Sequence, residues 1–210
     1  MEVINVKVGD SKFPTNCYIV HNNIQGIIID PGYDFEKIKE KTKDIDIQYI
    51  VITHAHGDHI GALEEAIKYT KAKVIIHEDD KDGLLDSKKP CYDATKTKKQ
   101  NINEEDILTV TDNDNINIAG QDMKFIHTPG HTNGSMCLLL DDKLFTGDTI
   151  FSNCYGRTDL FSGSFEDMKK SLDKLFNMFN DIIIYPGHGK EANIDDVKRV
   201  IKLLFAIRRG

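Results

Sequence analysis

Three histidines and one aspartate fall within six residues, in the run Thr53-His54-Ala55-His56-Gly57-Asp58-His59. Neutral imidazole and carboxylate are the donors that borderline divalent metals take. The whole chain has only eight histidines, so composition alone does not produce such a cluster. Three residues of the same chemistry stand alone downstream: His131, Asp148 and His188. Each follows a strand signal and lies beside glycine. One histidine at a strand end is ordinarily a satisfied surface or core residue, and His21, His77 and His127 are read that way. The other seven together point to metal. Seven N/O ligands exceed one tetrahedral site. They suit two adjacent divalent ions with one carboxylate between them, about 3.5–4 Å apart.

The surrounding elements must hold these groups. Residues 48–53 (QYIVIT) form an apolar, β-branched run that stops at His54, and residues 60–70 place Ile60, Leu63, Ile67 and Tyr69 near helical spacing. The cluster is therefore expected on a strand-to-helix loop. Gly57 would allow the sharp bend. His54 and His56 would point one way, and Asp58 and His59 to a neighbouring spot at the helix start. Residues 2–8 and 17–21 alternate apolar and polar types, predicting strands with one buried face, and 25–30 reads as a buried strand closed by Asp30-Pro31-Gly32. Further strands are expected at 73–77, 123–127, 135–140, 143–146 and 181–185, with helices at 34–42, 165–178 and 194–205. Segment 87–101, rich in Lys, Asp and Thr, reads as an exposed insertion or lid, with Lys96, Lys98 and Lys99 on a solvated face. Both halves end strands at metal-type residues next to Gly and Pro. That pattern predicts two packed sheets, outer helices, and a site along one rim.

Composition narrows the rest. A chain of 210 residues fits one domain, residues 1–210, with a full core. Hydrophobic content of 40% and charged content of 29% are those of a soluble globular protein. The net charge of −7 argues against nucleic acid or an anionic membrane as partner, and leaves a small-molecule substrate. No apolar run approaches a membrane span. No signal peptide is visible at the N-terminus, and the four cysteines lack CxxC spacing, so reduced thiols in the cytoplasm are expected.

These residues resemble the metallo-β-lactamase-fold hydrolases, defined by HxHxDH plus later His, Asp and His. The resemblance runs from Asn16-Cys17-Tyr18 through Pro186-Gly187-His188-Gly189. It implies an αββα sandwich, an α/β fold of two mixed sheets with helices on the outer faces. It implies that His54, His56 and His131 bind one metal, that Asp58, His59 and His188 bind a second, and that Asp148 bridges them. The ions would be Zn²⁺, with iron or manganese compatible with the same ligands. Asp148 stands where many true β-lactamases of the superfamily carry cysteine, which turns the expectation away from lactams. His127-Thr128-Pro129-Gly130-His131-Thr132 and Gly156-Arg157-Thr158-Asp159-Leu160 are similar to the glyoxalase II-like (hydroxyacylglutathione hydrolase-like) branch. Two departures stand out. Full-length members carry a further helical domain, whereas this chain ends at Gly210. The lysine that grips the glutathione carboxylate there aligns with Arg157, and its tyrosine neighbour with Asp159. Arg157 could bind a substrate carboxylate bidentately, or pair with Asp159 and fix the loop.

The implied chemistry is hydrolysis of a thioester by a metal-bridging hydroxide, with Asp58 as ligand and orienting catalytic residue. The metals would polarise the carbonyl and stabilise the oxyanion. A thiolate leaves without a strong general acid. Ser135 and Ser162 lack a His/Asp partner arrangement, and Cys154 reads as lining. Asp30 would orient a ligand histidine or the loop, and Thr132 and Gly134 would shape a turn. The alternative is an oxidoreductase resembling persulfide dioxygenases, with one iron on His54, His131 and Asp148. Flavin-linked diiron reductases, nucleases and a non-enzymatic metal-binding module fit less well.

Overall fold

Two sheets divide the strands. The computed structural model describes residues 1–85 and 100–207. The first sheet holds β1 (Glu2–Val8), β2 (Thr15–His21), β3 (Gln25–Ile29), β4 (Asp46–Val51), β5 (Lys73–His77) and β6 (Ile107–Val110), in that spatial order. Its first three strands pair antiparallel, and β3 through β6 run parallel. The second sheet holds β7 (Asn115–Ile118), β8 (Gln121–His127), β9 (Met136–Leu140), β10 (Lys143–Gly147), β11 (Ile183–Pro186) and β12 (Ala192–Asn193), again in sequence order across the sheet. Only β10 and β11 are parallel there.

Strand pleating feeds successive residues to different apolar layers. Tyr18, Val20, Ile27, Ile29 and Val51 face Phe125, Met136, Leu138 and Phe145 between the sheets. Their neighbours Cys17, Ile19, Ile28 and Ile50 face outward, onto Ile38 of α1 (Phe35–Thr42), Ile60 of α2 (Gly57–Ile60), Leu63 of α3 (Leu63–Thr70) and Leu84 of α4 (Lys81–Leu85). Ile126, Cys137, Leu144 and Ile184 meet Leu172 of α5 (Phe165–Met178) and Val197 of α6 (Ile194–Ile207) on the far side. The result is the expected αββα sandwich of two mixed sheets with outer helices.

Several elements differ from the sequence reading. Every residue of β2 is buried, not one face alone. The Tyr18 hydroxyl is satisfied inside by donating to the Pro186 carbonyl at 2.8 Å. Strands β6, β7 and β12 span only four, four and two residues, too short for periodicity to show them. The expected helix over 60–70 breaks into α2 and α3 around Gly61, where a Cβ would collide with the Tyr33 ring and the Gly32 carbonyl. Asp58 and His59 therefore sit within α2. Gly57 is not the bend: it has no positive φ and opens α2, after an extended His56 at φ −74°, ψ 146°. Most of the segment read as an exposed insertion, including Lys96, Lys98 and Lys99, lies outside the described residues.

The caps follow local chemistry. Ser164 begins α5 by accepting the Asp167 N–H at 3.2 Å. Leu172, on the inner face of α5, is fully buried, whereas Leu203 on α6 is 64% exposed. Leu172→Ala should lower stability by about 2–5 kcal/mol in urea unfolding, and Leu203→Ala by less than about 0.5 kcal/mol.

Candidate metal centre

The parallel strands β3 and β4 and the parallel pair β10 and β11 end at one rim of the sandwich, and all seven candidate residues lie there. His54 and His56 occupy the loop after β4, Asp58 and His59 lie on α2, and His131 sits between β8 and β9. Asp148 directly follows β10, and His188 follows β11. His56 Nδ1 lies 2.8 Å from His131 Nε2. The His54 ring is centred 4.7 Å from both of those rings. His188 Nε2 lies 3.2 Å from Asp58 Oδ2. Asp148 reaches both groups: Oδ2 is 3.5 Å from His131 Nε2 and 3.5 Å from His188 Nε2, and Oδ1 is 3.4 Å from His59 Nε2. The ligand atoms of His54, His56 and His131 lie within 4.8 Å of one another, and so do those of Asp58, His59 and His188.

Outer partners aim the rings. His59 Nδ1 meets Asp30 at 2.9 Å, His131 Nδ1 meets the Arg157 carbonyl at 2.8 Å, and His188 Nδ1 meets the Pro14 carbonyl at 3.0 Å. The Thr53 hydroxyl donates to Asp30 at 2.7 Å, so it is left to accept from His54 Nδ1 at 3.1 Å. Each of these contacts places the ring proton on Nδ1 and turns the Nε2 lone pair toward the centre. His56 is the exception and presents Nδ1. Asp30 also accepts the Thr53 N–H at 2.8 Å. It therefore serves both roles read for it, holding the loop and a ligand histidine.

Charge divides the centre. Burial, reinforced by the neighbouring imidazoles, pushes His54 well down, and burial with His131 beside it brings His56 to about 3. Both are neutral donors. Burial pulls His59 down as well, but Asp148, Asp30 and Asp58 outweigh it and raise it well above the ordinary value. His188 is raised too, because Asp58 and Asp148 overcome burial. Burial opposes ionisation of Asp58 and Asp148, yet the histidines, His59 foremost, hold Asp58 near 2 and Asp148 well below its usual range.

The residues fit a divalent cation on physical grounds. His54 Nε2, His59 Nε2 and Asp148 Oδ1 are buried and have no partner in hydrogen-bonding geometry. Leaving a buried polar atom unsatisfied costs about 1–3 kcal/mol. A cation amid these lone pairs satisfies them at once. Gly187 keeps the space open, since a Cβ there would run into Asp148 Oδ1 and His59 Cε1.

A further His/Asp group behaves differently. His77, Asp79 and His127 also gather. The two rings, however, stack face to face at 3.8 Å with an interplanar angle of 13°, so their lone pairs run parallel instead of converging. His77 Nδ1 accepts the Asp79 N–H at 3.3 Å, and His127 Nε2 donates to the Asn133 carbonyl at 2.7 Å.

Arg157 is committed to Asp159 through two hydrogen bonds of 2.8 and 2.9 Å, and its carbonyl serves His131. A substrate carboxylate would have to displace Asp159. Burial and Asp148 raise the Cys154 thiol above its usual range, so it is not a thiolate nucleophile. Ser135 bonds Thr132, and Ser162 accepts the Asn133 N–H. Sequence reasoning missed Phe13, whose exposed ring stacks on His188 at 4.4 Å. It also missed Asp80, buried beneath the His54–His56 loop. A lone aromatic between two strands and one acid in an acidic run carry no distinguishing pattern.

The family described as "Metallo-beta-lactamase superfamily" matches residues 10–188. "Probable metallo-hydrolase YqgX" of Bacillus subtilis is 31% identical, spanning 85% of this chain and 87% of that protein. "Probable polyketide biosynthesis zinc-dependent hydrolase BaeB" of Bacillus velezensis is 30% identical over 90% of this chain and 79% of that protein. "Hydroxyacylglutathione hydrolase GloC" of Haemophilus influenzae is 30% identical over 89% of this chain and 91% of that protein. Among solved structures, the BLEG-1 B3 metallo-beta-lactamase superposes with a TM-score of 0.84 at 26% identity, covering 93% of this chain and 95% of that one.

The charge division has a measurable consequence. A cation at Asp58, His59 and His188 must displace protons from raised imidazoles, whereas His54 and His56 are already proton-free. Affinity at the Asp58 group should therefore fall more steeply as pH drops toward and through 6.5, the ordinary imidazole value, than affinity at the group that contains His54 and His56. Calorimetric zinc titrations of metal-free protein in buffers of different ionisation enthalpy should show greater proton release in one binding step than in the other. Equal release in both steps would refute the division.

Proposed function

The chain belongs to the metallo-β-lactamase superfamily, and on that premise we propose that it is a dinuclear metal-dependent hydrolase that cleaves a thioester. The observation that carries this reading is the position of Asp148. One oxygen, Oδ2, stands 3.5 Å from a nitrogen of each three-residue group, as a carboxylate shared between two ions requires. His54, His56 and His131 would hold one cation, and Asp58, His59 and His188 the other. A donor set of imidazole and carboxylate alone suits zinc and also iron or manganese, and zinc is the ion we propose. Such a pair supplies Lewis acidity and a water of lowered pKa.

The chain's own groups do the remaining work. Asp58, with its carboxyl held ionised, is placed to take and orient a proton beside His188. Two clefts flank the centre and meet at Cys154. The smaller, about 150 Å³, has Phe13, Phe151 and His188 in its walls and is apolar enough for a compact acyl group. The larger, about 570 Å³, is walled by Tyr155, Arg157, Thr158, Asp159 and Leu204 and has room for a polar thiol-bearing portion. Arg157 would meet a carboxylate there after exchanging Asp159 for it. The chemistry asked of the protein is modest, because a thiolate leaves unaided.

A second reading rests on one feature. By resemblance to persulfide dioxygenases, His54, His131 and Asp148 would supply a two-histidine, one-carboxylate set of the kind that holds iron in oxygenases, and Asp148 Oδ2 lies 3.5 Å from His131 Nε2. Iron content together with oxygen uptake on a persulfide would favour it.

Metal-replete protein should cleave S-lactoylglutathione. Chelator stripping should abolish cleavage, and His56→Ala should lower kcat/KM by more than about 100-fold, beyond what loss of an outer ligand partner causes. No turnover by protein loaded with two ions would sink the assignment to a glutathione thioester. Phe13→Ala should raise KM by about 3–10-fold, equivalent to up to about 1.4 kcal/mol of apolar contact, with kcat within about twofold. An unchanged KM would remove the acyl group from that cleft.

A further inference from the structure

Asp80 stands apart from its neighbours. It ends the short turn Glu78–Asp80 between β5 and α4. Glu78 and Asp79 are exposed, whereas Asp80 is 7% exposed. No lysine, arginine or histidine pairs with it among the described ion pairs. Its carboxylate instead accepts three hydrogen bonds, and all three come from the loops that carry metal-type histidines. Oδ2 takes the Ala55 N–H at 3.0 Å and the Thr132 hydroxyl at 2.7 Å, and Oδ1 takes the Gly134 N–H at 2.9 Å.

These donors have specific addresses. Ala55 is the residue between His54 and His56. Thr132 follows His131, and Gly134 lies in the same loop. The first loop hangs from the first sheet and the second from the second sheet, so Asp80 ties the two sheets together at the rim. The fit is close on both sides. A Cβ on Gly134 would stand 2.6 Å from Asp80 Cβ, and a Cβ on Gly83 would stand 2.6 Å from Ala55 Cβ. Thr132 is fixed in turn by Ser135, whose Oγ accepts the Thr132 N–H at 3.0 Å and lies 2.8 Å from the Thr132 hydroxyl. Asp58, His59 and His188 take no support from this network. Their outer contacts are Asp30, the Pro14 carbonyl and the Thr15 hydroxyl.

We propose that Asp80 is a positioning residue for one half of the centre: it sets the spacing of His54, His56 and His131, and thereby the cation affinity of that group alone. This rests on reading the seven residues as a two-cation centre. A carboxylate can accept all three bonds. A carboxamide of the same shape must turn an N–H toward one of the donors. Loss of an outer partner in a metal site typically lowers affinity by about 10–100-fold, and here the loss should fall on one group of three.

The test uses the full-length, metal-free chain and reads cobalt(II) or zinc affinity by chelator competition. His188→Ala leaves the three-histidine group intact, and His131→Ala leaves the Asp58 group with its three ligands. Asp80→Asn should weaken binding by about 10-fold or more in the His188→Ala background and by less than about threefold in the His131→Ala background. The cobalt(II) absorption band of the three-histidine group should shift with it. Thr132→Val, which removes one of the three donors, should produce a smaller loss in the same background. Thr132→Ser, which keeps the hydroxyl, should match the parent. If Asp80→Asn fails to fold, as judged by circular dichroism and thermal melting, the Thr132 pair decides. Equal loss in both backgrounds, or none in either, or a Thr132→Ser loss equal to that of Thr132→Val, would overturn the proposal. If the unmodified chain binds no cation at all, the two-cation reading fails first, and its failure is seen before any variant is made.

Discussion

The rim of this sandwich depends on a single constraint: nitrogen and oxygen lone pairs from two different sheets are buried facing one another. Hydrophobic packing places them there without regard to the conflict. Between the sheets, Tyr18, Val51, Phe125 and Phe145 close the interior, and the polypeptide must turn at the strand ends. Those turns bring His54 and His56 from one side against His131, Asp148 and His188 from the other. Nothing apolar could replace one member without leaving its neighbours buried and unpaired, which is expensive in a low-dielectric interior. A shared cation resolves the conflict, and it couples the junction of the sheets to metal.

The answer to that constraint is a set of anchors one shell out, each of which turns a lone pair inward by occupying the opposite nitrogen. Backbone carbonyls perform this for His131 and His188, a carboxylate for His59 and a threonine hydroxyl for His54. The choice of anchor has electrostatic effects. Asp30 gives His59 a second negative neighbour besides Asp148, which favours the charged ring, whereas Thr53 leaves His54 without one. The two halves of one centre therefore differ in proton affinity although both are built from histidine and share Asp148. Carbonyl anchors add another dependence, since the Pro14 and Arg157 carbonyls belong to loops without regular structure. The aim of a ring is then only as firm as the loop behind it.

Much of this was legible in sequence because two of its signals are periodic or dense. Alternation and helical spacing gave most of the strands and located α5 at the residues it occupies, and resemblance then fixed the order of the layers. The seven residues could be singled out because five of eight histidines stood beside strand ends. What stayed hidden has a common physical character. Asp80 lies in the run Glu78-Asp79-Asp80-Lys81-Asp82, which has the composition of a solvated surface; its burial comes from Gly134 and Ala55, remote in sequence. Phe13 is a single aromatic between strands. Strands β6 and β7 are short edge elements that borrow their order from neighbours. In each case the tertiary contact, not the local pattern, decides, and one sequence carries no record of it. Gly57 shows the reverse error. A glycine in a dense motif invites a conformational explanation, yet its φ is ordinary, and the bend is made by extended backbone at His56.

The division between centre and surroundings also explains why the reaction class is easier to read than the substrate. The centre is specified by buried groups whose partners are all internal, so a few residue types at fixed places determine what it can do. The clefts are specified by exposed groups that answer to each other as readily as to a ligand. Arg157 illustrates the difference. As a residue type it is well made to grip a carboxylate, but Asp159, two positions on, already offers one in bidentate geometry. That pair is exposed, so water and salt screen it and its net strength is small. A substrate carboxylate faces an exchange between near equals at that position, and recognition must come from whatever else the ligand touches. The apolar wall of Phe13 and Phe151 beside His188 is the other surface within reach of the centre, and it has no such internal competitor. On the proposed thioester reading, discrimination would therefore rest more on the shape and apolarity of the acyl portion than on the charge of the thiol.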